Sequence, residues 1–175
     1  TSVEWSLIEK GKVIKQVFTK GANPFFRTTE DIKSELQESL VPQLDEKKVD
    51  AIYFFGAGCA TPEKNDIIRQ AISNNFDTTT IEVGSDLLAA ARGLCKDQPG
   101  IACIIGTGSN SCFYDGKGIV SNVSPLGYIL GDEGSGAVLG KLLVGAALKN
   151  QLTPGLKEKF LEQFSLTPIL ILEKV

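Results

Sequence analysis

Residues 104–136 read IIGTGSNSCFYDGKGIVSNVSPLGYILGDEGSG, and the rest of the chain is read outward from this stretch. An apolar run at residues 101–105 predicts a strand, which ends in Gly106-Thr107-Gly108-Ser109-Asn110. Such a turn gathers hydroxyls and bare backbone amides, as an anion-binding concavity requires. An ordinary tight hairpin turn is the plain alternative. Residues 111–114 predict the next strand, Asp115-Gly116 a two-residue hairpin turn, and residues 118–122 a third strand. A second glycine-rich loop then carries Asp132 and Glu133 into a helix running to about Lys149. Ser135 is placed as its N-cap and both carboxylates at its positive end. No Gly-Lys-Ser or Gly-Lys-Thr occurs, which excludes P-loop chemistry.

Upstream, residues 3–9 and 12–20 predict an antiparallel hairpin around Lys10-Gly11, with Val3, Trp5 and Leu7 on one face at period two. A strand opening at residue 1 suggests that something precedes it. Asn23 before Pro24 is a turn residue or, alternatively, a side-chain amide presented to a ligand. Thr28 or Thr29 caps a helix reaching residue 40 or 44, with Ile32, Leu36 and Leu40 recurring every four residues. A buried strand over 49–55 ends in Gly56-Ala57-Gly58, Pro62 starts a helix, and residues 78–83 form a further strand. Asp86 opens the small-residue helix 87–95. It reads as an N-cap or as a general base at a strand-to-helix junction, where α/β sheets place ligands. The order, a hairpin followed by β-α-β crossovers, predicts an α/β sheet covered by helices. Gln98-Pro99-Gly100 marks a boundary, giving an N-terminal lobe over 1–99 and a partial C-terminal lobe over 100–175. The strand pattern after it suggests a second β-β-β set. Near the end, a short helix over 156–164 and a buried strand over 169–172 are expected.

The chain has 175 residues, 42% of them hydrophobic and 22% charged, enough to bury a sizeable core. A net charge of −3 argues against a nucleic-acid surface but leaves small anions open, because backbone amides bind phosphate without lysine or arginine. Cys59, Cys95, Cys103 and Cys112 form no C-x-x-C pair, and the chain has no histidine, so no zinc site is expected. The cysteines read as small buried hydrophobes in a reducing compartment. No signal peptide or membrane span is legible, so a cytoplasmic protein is expected.

The sequence GTGSN followed by PLGYILGDEGS resembles the N-acetylglucosamine kinase family, within the BadF/BadG/BcrA/BcrD-type ATPase group. The resemblance is most specific from Val83 to Leu148. It implies an α/β fold of the two-lobed, ribonuclease H-like (actin-like ATPase) kind, with mixed sheets, an antiparallel β-β-β start and an incomplete second lobe. ATP with Mg2+ and an amino sugar would bind in its cleft. By the resemblance, Gly106, Thr107, Gly108 and Ser109 grip ATP phosphates, and Asp86 accepts the proton of the sugar 6-hydroxyl. Asn23 and Asp132 hold sugar hydroxyls, Gly127 lies against the sugar, and Thr1 ends a first phosphate motif, Asp-x-Gly-x-Thr. Leu126 replaces an aromatic residue that precedes the glycine in better-known members, which opens the identity of the sugar. A homodimer is among the expected assemblies, with no nucleic-acid or membrane partner. Two other readings stand beside the kinase: an ATP-driven activator of a reductase or dehydratase, and a nucleotide- or sugar-binding module without catalysis.

Overall fold

The computed structural model describes residues 2–44 and 48–174. It separates into two compact units, Thr1–Ala102 with Phe113–Val120, and Cys103–Cys112 with Ser121–Val175.

The first unit opens with an antiparallel hairpin of β1 (Ser2–Glu9) and β2 (Lys12–Lys20). Lys10 and Gly11 both take positive φ, 49° and 76°, as a two-residue turn matched to strand twist requires. Alternation turns Val3, Trp5 and Leu7 onto the core, together with Val17 of β2. Val13, Ile14 and Phe18 stay exposed. The Trp5 ring tilts against Phe54 at 5.7 Å, and its Nε1 donates to Thr19 Oγ1 at 3.0 Å, so the half-buried indole has its polar end satisfied.

Helix α1 (Thr29–Glu35) is capped by Thr28, whose hydroxyl accepts from Asp31 N while Asp31 reaches back to the Thr28 N–H. This reciprocal pair satisfies two otherwise free donors. The helix widens into a π turn over Leu36–Leu40 and tightens into a 3-10 turn over Val41–Leu44. The four-residue spacing of Ile32, Leu36 and Leu40 survives, and all three are buried. A β-α-β unit follows: β3 (Ala51–Gly56), α2 (Pro62–Ser73) and β4 (Thr80–Ser85), with β3 and β4 parallel from Ala51↔Thr80 to Gly56↔Ser85. Ile68, Ala71 and Ile72 of α2 are buried in the same core. Helix α3 (Asp86–Cys95) leaves β4 directly.

The hairpin and the parallel pair do not join into the single sheet expected from the sequence. They are separate two-stranded sheets, β1-β2 and β3-β4. The physical reason is a channel of about 1220 Å³, lined by Trp5 and Leu7 of β1, Ile52 and Tyr53 of β3, and Leu40 and Leu44. Among the described residues it leaves one edge of β1 and one of β3 without ladder partners.

Strands β5 (Gly100–Ile105), β6 (Ser109–Tyr114) and β7 (Ile119–Val123) pair in the order β5-β6-β7. The turn between β6 and β7 spans four residues rather than two. Asp115 Oδ1 accepts from the amides of Lys117 and Gly118, both at 2.8 Å, and Asp115 N donates to Gly118 O at 3.1 Å. The carboxylate therefore replaces the tight turn that Asp-Gly predicts.

The second unit holds α4 (Gly127–Leu130), α5 (Gly136–Leu148), α6 (Leu156–Gln163) and α7 (Pro168–Leu172). Residues 169–172, expected as a strand, lie in α7. Thr167 caps it with its hydroxyl on Leu170 N, Pro168 sits in the first turn, and only Ile171 of the apolar run is buried. A four-residue apolar run has no periodicity to separate helix from strand, and the Thr-Pro start decides. The cysteines are not uniformly interior. Cys59 and Cys112 are buried, Cys95 is half-buried and Cys103 is exposed. Among the described residues no helix is long and apolar enough to cross a membrane.

Candidate active site

In the first unit the predicted residues gather at the carboxyl end of the β3-β4 pair. Gly56 and Ser85 are aligned as the last partners of that ladder, and Asp86 follows immediately. Ligands of open α/β sheets bind at this end of the strands. Asp86 is not the N-cap. Ser85 holds that position, its Oγ accepting from Leu88 N at 3.1 Å, while Asp86 is the first helical residue. The hydroxyl one residue earlier reaches the amide of the third helical residue, so Ser85 rather than Asp86 is the cap. Its Oδ1 accepts from Leu87 N at 2.9 Å, which orients it locally at the helix start.

The loop from Gly56 to Cys59 connects Asp86 to Asn23. Cys59 N donates to Gly56 O at 3.2 Å, closing the loop, and Cys59 is buried. Burial first, and the nearby charge of Asp86 second, push the Cys59 thiol up to about 11, against a lowering hydrogen bond from the Gly56 backbone. The thiol is therefore protonated and inert at neutral pH. Gly58, at φ 86°, packs against Asn23 and Phe25. Asn23 makes the turn that its place before Pro24 predicts: Oδ1 accepts from Phe25 N at 2.9 Å, and its carbonyl accepts from Phe26 N and Arg27 N. Lys64 of α2 braces this turn, donating to Pro24 O at 3.0 Å with its ammonium 4.5 Å from the Phe25 ring centre.

Sequence reasoning missed the seat that Gly58 and Cys59 provide. The glycines of Gly56-Ala57-Gly58 were its signal, too short to specify a role. It also missed Asn65, whose Nδ2 donates to Val83 O at 3.4 Å and whose buried Oδ1 finds no partner among the described residues.

In the second unit the Gly106–Ser109 turn and Asp132 come together. Gly106 N donates to Gly108 O at 2.8 Å, closing the turn. Its carbonyls are held by the first amides of α5: Gly136 N donates to Gly106 O at 2.8 Å and Ala137 N to Thr107 O at 3.2 Å. Ser135, fully buried, caps the same helix through Val138 N at 3.2 Å. Three leading amides of α5 therefore bind protein oxygens. Ser109 N donates to Asp132 Oδ1 at 3.1 Å. Asp132 itself sits at φ 58°, with its N–H on Pro125 O at 2.9 Å and its carbonyl on Ser135 N at 3.0 Å. Gly127 takes φ 73° after Leu126 at φ 56°, opening α4. At Gly131 a side chain would strike the Pro125 carbonyl, so only glycine permits this loop. Leu126 is exposed. Thr1 lies outside the described residues.

No family model matches the chain. It is 32% identical over 144 residues to the N-acetylmuramic acid/N-acetylglucosamine kinase of Clostridium acetobutylicum, covering 79% of this chain and 47% of that protein. The crystal structure of a candidate N-acetylglucosamine kinase from Porphyromonas gingivalis superposes with a TM-score of 0.90 at 47% identity, over 98% of this chain and 62% of that one. A second candidate N-acetylglucosamine kinase, from Chromobacterium violaceum, shares the fold at a TM-score of 0.60 and 21% identity, over 87% of this chain and 56% of the other. The chain thus spans about half the length of the curated relative it matches. Over the residues it spans, with the glycine turns and the Ser85-Asp86 junction in place, the chain belongs to the N-acetylglucosamine kinase family.

Proposed function

We propose that the chain carries the sugar- and phosphate-handling parts of an ATP-dependent kinase that phosphorylates an amino sugar, such as N-acetylglucosamine, at its 6-hydroxyl. The observation that carries this reading is Asp86 at the carboxyl end of the β3-β4 pair, next to the Ser85 cap and joined to Asn23 through the Gly56–Cys59 loop. A general base must be held in place yet keep a lone pair for the hydroxyl proton. The single local bond from Leu87 N fits that requirement.

Phosphoryl transfer needs a positioned nucleophile and neutralisation of charge on the transferred group. Asp86 would take the hydroxyl proton, and Asn23 would fix the sugar on the same unit. In the second unit the Gly106–Ser109 turn fits an anion, because its Ser109 amide already attracts a carboxylate. Thr107 and Ser109 add hydroxyls there. Gly127 and Asp132 would contact the sugar. Magnesium would arrive with the nucleotide and supply charge neutralisation on the phosphates. Among the described residues no group of three carboxylate, cysteine or histidine side chains is gathered to hold a metal.

The likeness to the kinase structures supports a two-lobed, actin-like ATPase architecture with lobes over 1–99 and 100–175, the second incomplete. The open channel between β1 and β3 supports a first lobe that lacks a strand there. A cytoplasmic location and a homodimer complete the reading. The test is ADP release with N-acetylglucosamine, N-acetylmannosamine, glucosamine, glucose and N-acetylmuramic acid, using a polypeptide of the relatives' length. Turnover that requires an amino sugar and collapses in Asp86→Asn supports the proposal. Sugar binding with no product from ATP would favour the non-catalytic module.

A further inference from the structure

Resting on that reading of the Gly106–Ser109 turn, we infer that Asp132 is a resident anion in the phosphate turn, which competes with a nucleotide phosphate for the Ser109 amide. The Asp132 carboxylate accepts the Ser109 N–H at 3.1 Å. It also lies over Gly108. A Cβ placed on that glycine would meet Oδ1 at 3.0 Å, Oδ2 at 3.1 Å and Cγ at 3.2 Å. The carboxylate therefore covers the backbone of both residues and occupies the position an incoming phosphate oxygen needs.

Gly106 N is bonded to Gly108 O, and the Gly106 and Thr107 carbonyls are bonded to Gly136 N and Ala137 N. The first amides of α5, which could otherwise attract an anion, are used to hold these carbonyls. The backbone of Asp132 is pinned on both sides, by Pro125 O and Ser135 N. Only its side chain is left to move, so rotation of the carboxylate exposes the Ser109 N–H without disturbing the loop. A carboxylate and a phosphate sharing one amide repel each other, and the repulsion is screened little in a half-buried turn. Once displaced, the carboxylate becomes available to sugar hydroxyls. One residue then links phosphate entry to the sugar grip.

The experiment measures binding of inorganic tripolyphosphate and of Mg-free ATP to the 175-residue chain by calorimetry, without sugar. Wild type is compared with Asp132→Asn and Asp132→Ala. Asparagine tolerates positive φ and keeps the shape, so Asp132→Asn preserves the loop while removing the charge. Both variants should bind both probes about three- to tenfold more tightly than wild type. The Ser109 amide resonance of wild type should shift on tripolyphosphate addition toward its position in Asp132→Ala. Equal or weaker binding by Asp132→Asn, with wild type binding measurably, overturns the resident-anion role and leaves the phosphate turn standing. No binding by wild type or either variant overturns both.

Discussion

Gly58 lies against the side chain of Asn23 so closely that a Cβ there would collide with Asn23 Oδ1. The same glycine has φ 86°, a conformation that side chains rarely adopt. Gly58→Ala therefore adds steric and backbone strain together. It is expected to lower stability by about 1–3 kcal/mol and to weaken sugar binding through a displaced Asn23. Gly93→Ala is the matched control. A Cβ at Gly93 meets nothing within 4 Å inside α3, so alanine there should stabilise by roughly 0.5–1 kcal/mol. Urea denaturation of the two variants reads opposite signs if the packing is as described.

The division of labour between Ser85 and Asp86 gives a second prediction. Ser85→Ala removes the cap on Leu88 N and should cost about 1 kcal/mol of stability. Asp86→Asn leaves the cap in place and should fold normally while turnover falls about 10²- to 10⁴-fold. Turnover and Tm measured on both variants would separate the roles. A stable Asp86→Asn enzyme with wild-type turnover would refute the base assignment.

Thiol chemistry should follow burial. Cys103 is exposed and Cys59 is buried with its thiol pushed up to about 11. At pH 7.5 iodoacetamide should modify Cys103 first, and Cys59 only after urea is added. Peptide mass mapping over time reads the order. Prompt labelling of Cys59 in the folded protein would contradict its burial.

Glu35 ties α1 to the end of β2, and this contact should appear in the pH dependence of stability. Its Oε1 accepts from Lys20 N at 3.1 Å, and Oε2 lies 3.5 Å from the Lys20 ammonium. The backbone hydrogen bond is the main cause that holds the carboxyl below its ordinary value, against the opposing effect of burial. Folding therefore releases protons from this group. Its contribution is present above about pH 4.5 and is lost as pH falls through the lowered folded value. Glu35→Gln should reduce stability at pH 7 and flatten the acid limb of the stability curve, measured by urea titrations from pH 3 to 7.

Much of this architecture was legible because the local signals were redundant. The 1–20 hairpin had period-two apolar residues and a Lys-Gly turn, and the Thr28 cap coincided with a four-residue apolar repeat. Other features depended on competition between neighbouring groups. Ser85 and Asp86 can both cap a helix, and only the backbone path decides that serine does so. Asp115-Gly116 suggests a tight turn, but the Asp115 carboxylate finds two amides further along. Residues 169–172 are equally apolar as strand or helix. The seat of Asn23 on Gly58, and of Asp132 on Ser109, joins residues 35 and 23 positions apart, which no local pattern encodes.

The channel between β1 and β3 supplies the last prediction. Among the described residues two strand edges without ladder partners border about 1220 Å³ of partly apolar space. Such edges gain hydrogen bonds from an added strand, and the apolar lining gains burial. At roughly 3.3 Å per residue, a segment of about eight residues matches the length of β1. A chain lengthened before Thr1 by such a segment, ending in Asp-x-Gly-x, should seat it between β1 and β3. Amide exchange at the channel-facing edges of both strands should then slow at least about tenfold, and the added residues should resist proteolysis. If the edges exchange as before while the extension is cleaved, the channel does not take a strand. The two sheets of the first unit would then be independent.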